Sequence, residues 1–317
     1  MWAHARYRIG ARVLPLRLPV LQWRFPGKGL SISKMTALST GLVFAASWPA
    51  PCRCEAEDTA LALTPDDEEL LLSALDAAML TLREWSQAPA SWWDDSKRIN
   101  LSDLHDAVHC TKKMDGFPVK LHMVSAVWDD TSLSELLLLT EASEDCLKLS
   151  FDPALDSIQT CRRIVRGNDR QVRLIRTITK PMLLGLISAR EVDSVVRDPA
   201  AQPDGSIIGG ALGLQSPLLI EKVQSDMSNG LGTLSSRPPT PGRTRAIDHT
   251  SGYILEPLDS GARSSEARGK WKVYYILLSE AGGGVPTWAA EKGVSKAIVD
   301  WFAFARRQQH IWRNSSC

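Results

Sequence analysis

From residue 64 onward, apolar and polar positions follow two distinct rhythms. Leu70, Leu71, Leu75, Ala78, Leu82 and Trp85 recur at three-to-four spacing and predict an amphipathic helix ending near Ser86. Thr64 can cap it, Pro65 suits the first helical position, and Asp66, Asp67 and Glu68 favour the positive end of its dipole. Two alternating runs follow, Asp106 to Lys112 and Val119 to Val127. The glycine-containing loop Met114-Asp115-Gly116-Phe117-Pro118 joins them, so a hairpin is predicted. Thr131 to Leu139 reads as a second helix, capped by Thr131 or Ser132.

Strands dominate beyond Leu155. Ile158 to Val165 and Gln171 to Thr179 flank a Gly167-Asn168-Asp169 turn, and Glu191 to Arg197 and Ser206 to Leu214 flank Asp204-Gly205. Arg243 to Ile247, Tyr253 to Pro257 and Trp271 to Leu278 complete the set. Residues 215–241, rich in Ser, Gly and Pro in their second half, read as a loop insertion. Gly282-Gly283-Gly284-Val285-Pro286 reads as a flexible turn ahead of a helix from Thr287 to Gln308. One face of that helix carries Ala290, Val294, Ala297, Ile298, Trp301 and Ala305. A helix, an antiparallel sheet with one internal helix and a long terminal helix make an α+β plan. A curved sheet wrapped around the last helix leaves a cavity between them.

The stretch "RTITKPMLLGLISAREVDSVV", residues 176–196, has the character of that cavity's wall. It is apolar, poor in acids and free of any nucleophile. Alternation along its strands turns one parity inward, with Thr177, Thr179, Ser194 and Val196 as candidate lining residues. Ala290, Val294, Ile298 and Trp301 are the candidates on the facing helix.

Composition narrows the functional classes. The 317 residues carry a net charge of +1, with 37 basic and 36 acidic side chains. Residues 1–54 hold eight Lys or Arg and no acid, which leaves 29 basic against 36 acidic residues in the body. An acidic body lacks the basic footprint that nucleic-acid binding needs. The six cysteines (52, 54, 110, 146, 161 and 317) include no CxxC pair and point to a reducing compartment. No run reaches the roughly 20 apolar residues of a membrane span. The first 54 residues fit three readings: an organelle transit peptide, a weak secretory signal beginning at Met35, or an extension without an address.

The candidate chemistry is sparse. Asp248-His249 has no accompanying serine or cysteine motif and is expected to stabilise a turn. Arg190-Glu191 is expected to form a local ion pair. The glycines before the last helix lack the lysine and spacing of a phosphate loop. Trp288, Trp301, Phe302 and Phe304 read as core and rim, with contact of Trp288 with a membrane near the cavity mouth as the alternative. No catalytic residue, metal ligand or cofactor site is assigned.

Several motifs in order resemble the START (steroidogenic acute regulatory protein-related lipid transfer) family over most of residues 64–310. Residues 176–196 resemble its R-T-x-T…L-I-S-x-R-[DE]-F-V-D-x-V segment, with Gly205-Ser206-Ile207 at the family's spacing. "GRTRAIDHTSGYILEPL" (242–258) is similar to V-R-x-[FIY]-N-H-x-x-G-x-x-x-x-P-L, and "WKVYYILLSEAGGGVP" to the last strand and turn. The nearest look is to the small, single-domain sterol- and bile-acid-type members. The resemblance implies a helix-grip fold spanning residues 60–310, after a basic segment 1–54. It further implies a monomer without cofactor that holds one lipid (a sterol, bile acid or phospholipid), transfers it through transient membrane contact and does no chemistry. A cytoplasmic location follows, with a mitochondrion or other organelle as the alternative through residues 1–54. The chain departs from the pattern at four residues and in the 215–241 insertion, which is longer than the family's typical loop. Thr177 and Val196 stand where some sterol-binding members keep a buried acid and arginine, Val192 replaces an aromatic, and Asp248 replaces Asn. Two rival readings are an enzyme on the related grip fold using His249 or Glu256, and a ligand-sensing regulatory module.

Overall fold

Helix α1 (Pro65–Gln87) starts where its cap residues place it. Thr64 Oγ1 accepts the Asp67 N–H at 3.2 Å, and the Asp67 carboxylate accepts the Thr64 N–H at 2.8 Å. A reciprocal cap of this kind is worth about 1 kcal/mol. The computed structural model that shows this describes residues 63–141, 148–152, 154–166, 170–181, 188–219, 231, 236–259 and 267–315. The basic segment 1–54, the Gly167-Asn168-Asp169 turn, Met182 to Ile187 and most of the 215–241 insertion lie outside the described residues.

The strands are β1 (Asp95–Arg98), β2 (His105–Lys113), β3 (Lys120–Ser132), β4 (Leu155–Arg166), β5 (Arg170–Thr179), β6 (Arg190–Ala201), β7 (Ile207–Gly213), β8 (Thr244–Arg245), β9 (Ile247–Pro257) and β10 (Arg268–Glu280). Helices α2 (Leu133–Thr140) and α3 (Lys148–Phe151) follow β3, and α4 (Thr287–Ser315) closes the chain. The ten strands form one sheet in the order β1-β2-β3-β10-β9-β7-β6-β5-β4, with β8 alongside β6 in parallel and every other pair antiparallel. This is the α+β helix-grip plan.

Strand β1 was not expected, because "DSKR" is exposed at every position and carries no apolar signal. Strand β9 begins at Ile247, well before the expected Tyr253, so His249 sits in a strand and not in a turn. The turn before α4 is more constrained than its glycines suggested. Gly282, Gly283 and Gly284 take φ of 63°, 66° and 72°, a conformation that side chains resist.

The two faces of the sheet bury different helices. On one, Leu71, Leu75 and Leu82 of α1 are fully buried against residues such as Leu121, Ile254 and Ile276. On the other, Ile298, Trp301 and Phe302 of α4 pack with Trp128, Leu255 and Val273. Each fully buried side chain of this size contributes about 1.5–3 kcal/mol. The C-terminal half of α4 is also fastened by polar groups. Gln309 Nε2 donates to Glu135 at 2.9 Å, Arg313 Nε donates to the same carboxylate at 2.8 Å, and Arg306 reaches Thr131 Oγ1 at 3.3 Å. Burial alone would raise the Glu135 carboxyl, but Arg313, the Ser132 N–H and Gln309 outweigh it and hold it down at about 2. At the other end of α4, Trp288 is 71% exposed.

Candidate functional site

A cavity of about 240 Å³ lies on the α4 side of the sheet. Alternation along β5 and β6 sends Thr177, Thr179, Ser194 and Val196 to its wall together with Ile175 and Val192. The residues named on α4 are placed differently. Ile298 and Trp301 are buried in the aromatic core, Ala290 is buried and Val294 half-buried, and none of these four borders the cavity. Helix α4 meets it through Ala297. The physical reason is that the helix stripe bearing the largest apolar side chains fills the space against the sheet, and a neighbouring stripe with a small residue is left at the cavity.

The cavity also contains polar groups that the sequence did not single out. Lys148 Nζ donates to Tyr253 Oη at 3.0 Å and stands 5.5 Å and 5.7 Å from the ring centroids of Tyr253 and Tyr275. Burial pushes the Tyr275 hydroxyl well above its ordinary range. Asp152 completes this end of the wall.

Asp248 reaches the wall through an irregularity in β9. Leu278 of β10 is opposite Thr250, but Ser279 is opposite Asp248, so His249 is an extra residue without a register partner. The bulge reverses the parity of what precedes it. Ser251 and Asp248 therefore both border the cavity, and Ser251 Oγ donates to Asp248 Oδ2 at 2.6 Å. Gly213 makes room, since a Cβ there would stand 2.2 Å from the Asp248 carbonyl oxygen. Burial pushes the Asp248 carboxyl up to about 7, against the opposing pull of Ser251 and Lys148. The sequence signal for this residue was its departure from the Asn of the START pattern.

Strands β5 and β6 carry an acid–arginine pair, at positions other than Thr177 and Val196. Arg173, the register partner of Val196, is paired with Asp198, which borders the cavity. Burial raises the Asp198 carboxyl and Arg173 only partly offsets it.

The remaining candidates lie away from the cavity. His249 Nε2 is 2.6 Å from Glu280 Oε1, and its ring stacks edge-on against Phe117 with centroids 4.6 Å apart. Burial lowers its pKa, with Glu280 opposing. Glu256 accepts the Tyr274 hydroxyl at 3.0 Å on the α1 side of the sheet. Neither residue proposed for the enzyme reading is at the cavity wall. Arg190 and Glu191 do not pair, because neighbours on a strand point to opposite faces. Arg190 donates to the Ser188 carbonyl at 2.9 Å, whereas Glu191 stands 3.4–3.6 Å from Arg176, Arg243 and Arg245. Among the described residues no group of three or more His, Cys, Asp or Glu is placed to hold a metal ion, and no helix is long and apolar enough to cross a membrane.

No protein-family model and no curated protein matches the chain. Solved structures do. Human StAR-related lipid transfer protein 5 is similar with a TM-score of 0.58 at 17% identity, over 78% of this chain and 99% of that one. Human STARD10 is similar with a TM-score of 0.52 at 11% identity, over 75% of this chain and 81% of that one. At such identities the likeness establishes the fold. It is the helix-grip fold of the StAR-related lipid transfer domains that the sequence motifs resemble.

Proposed function

We propose that this chain, with its START-type helix-grip fold, binds one lipid in the cavity and carries it between membranes without chemistry. The observation that supports this most is the wall itself. Ile158, Ile175, Val196 and Leu277 offer an apolar surface, interrupted by a few inward polar groups of the kind that orient a small molecule. Each CH₂ withdrawn from water contributes about 0.8 kcal/mol, so a mostly apolar ligand is held without a covalent bond. Release requires the cavity to open. Trp288, exposed at the start of α4, is suited to the membrane interface where that opening would be triggered. In this reading the carrier is monomeric and cytoplasmic, and residues 1–54 are the element that would direct it to an organelle instead.

The reading is tested by native mass spectrometry of the full chain purified from cells, with extraction of bound lipid, followed by transfer between donor and acceptor vesicles. One lipid per chain, and loss of both binding and transfer when Ala211→Trp fills the cavity, are the expected results. A chain that is empty on isolation and takes up no lipid from vesicles would overturn the reading.

A further inference from the structure

The bulge in β9 directs a carboxyl group to the cavity wall, and that carboxyl is only half used. Asp248 Oδ2 accepts from Ser251 Oγ at 2.6 Å, while Oδ1 is buried without a hydrogen-bond partner. A buried acceptor left unsatisfied costs about 1–3 kcal/mol, a cost removed when a ligand supplies the missing donor. Resting on the lipid-carrier reading above, we propose that Asp248 is the specificity-determining residue of the cavity and selects an uncharged lipid bearing a hydroxyl group.

The charges around the cavity support an uncharged ligand. Asp152, Asp198 and Asp248 all border it. Of the guanidinium groups nearby, Arg173 is engaged by Asp198, and Arg197 is engaged by Asp76 through Nη1, with its Nε and Nη2 buried and without a hydrogen-bond partner among the described residues. Lys148 is the remaining cation at the wall, and its ammonium is directed to the Tyr253 hydroxyl and lies by the Tyr253 and Tyr275 rings. With Asp198 offset by Arg173, a carboxylate or phosphate headgroup at Asp248 would thus meet the Asp152 and Asp248 carboxyl groups with the single Lys148 ammonium between them. Recognition of such anions ordinarily uses several converging donors, most effectively bidentate arginine. A hydroxyl group suits the site better. It can donate to Oδ1 and, because burial leaves the Asp248 carboxyl partly protonated near neutrality, can also accept from it. Sterols and diacylglycerols both present this chemistry, an isolated hydroxyl on an apolar body.

The test uses the full chain and phosphatidylcholine vesicles containing one probe at a time at neutral pH. The probes are dehydroergosterol, a fluorescently labelled diacylglycerol and cis-parinaric acid, which carries a carboxylate. Wild type is expected to bind one of the two hydroxyl lipids more tightly than parinaric acid, and the better one identifies the body that fits. Asp248→Leu is expected to weaken that hydroxyl lipid about ten-fold, the equivalent of one hydrogen bond, and to leave parinaric acid unchanged or improved. Asp248→Asn, which keeps shape and hydrogen-bonding capacity, is expected to stay within about three-fold of wild type, and thermal melting of both variants checks that they fold. Parinaric acid bound best, or a hydroxyl lipid bound equally by wild type and a folded Asp248→Leu, would overturn the selectivity while leaving the carrier reading standing. Uptake of none of the three probes by wild type would remove the carrier reading and this proposal with it.

Discussion

Asp248 and Ser251 are three residues apart on one strand, yet they share a hydrogen bond of 2.6 Å and the same cavity. In a regular strand an odd separation puts side chains on opposite faces. The extra residue, His249, absorbs the difference and is itself turned toward Phe117 and Glu280. A buried carboxyl is thereby held next to a ligand-sized space.

The Asp248 carboxyl makes stability depend on pH. Its folded value of about 7 lies above the ordinary 3.8, so the folded chain holds a proton that the unfolded chain has released. Stability therefore falls as pH rises from 3.8 to about 7 and is flat above that. Asp248→Asn removes this loss. It should stabilise the protein by on the order of 3 kcal/mol at about pH 8 and little at about pH 4, read from denaturant unfolding at both values.

His109 and His122 give an opposite slope at acid pH. They are buried, with His109 Nε2 3.2 Å from His122 Nδ1, and burial holds His122 down at about 4, helped by His109 and Lys120. The folded chain keeps it neutral, so its contribution is complete above the ordinary 6.5 and is lost as pH falls toward 4. His122→Gln should shift the acid unfolding midpoint to lower pH, followed by tryptophan fluorescence. An unmoved midpoint would assign acid lability to other groups.

On the α1 side of the sheet, Arg176 grips Asp193 with Nε at 2.8 Å and a second nitrogen at 3.3 Å. Both are buried. Asp193→Ala takes the shared carboxylate from Arg176 and Arg245, leaving Arg176 only the longer Glu191 contact, and should cost up to about 3–5 kcal/mol, whereas the double change Arg176→Met with Asp193→Leu should cost clearly less. Chemical denaturation of the two variants decides it.

The clamp at Gln309 predicts where α4 opens. Gln309→Leu breaks the bond to Glu135 and leaves buried polar groups unsatisfied, at a cost of about 1–3 kcal/mol. Amide exchange should then quicken over residues 301–313 and stay unchanged in α1. Uniform quickening would mean that the clamp is a global and not a local fastening.

Much of this architecture is readable along the chain, because its causes are local. Thr64 and Ser132 mark helix starts through bonds to residues three positions on. Two-residue alternation is enough to place Thr177, Thr179, Ser194 and Val196 on one wall. What the chain alone left undecided depends on residues far apart. The bulge that turns Asp248 inward lies where Leu278 pairs with Thr250 and Ser279 with Asp248 on one side, and where Gly213 allows the close approach on the other. Arg173 finds Asp198 only once β5 and β6 lie side by side. The periodicity of α4 showed an apolar stripe, but how the large residues pack decides that Ile298 and Trp301 enter the core and Ala297 meets the cavity. Periodicity and capping are set within about one turn or one rung of sheet, so the sequence by itself determined the capped helices and the alternating strands. Strand β1, helix α3 and the start of β9 carry no such local signal and were left to the fold. Register and packing are settled between strands distant in the chain, so only the tertiary structure decided which polar groups face the ligand space.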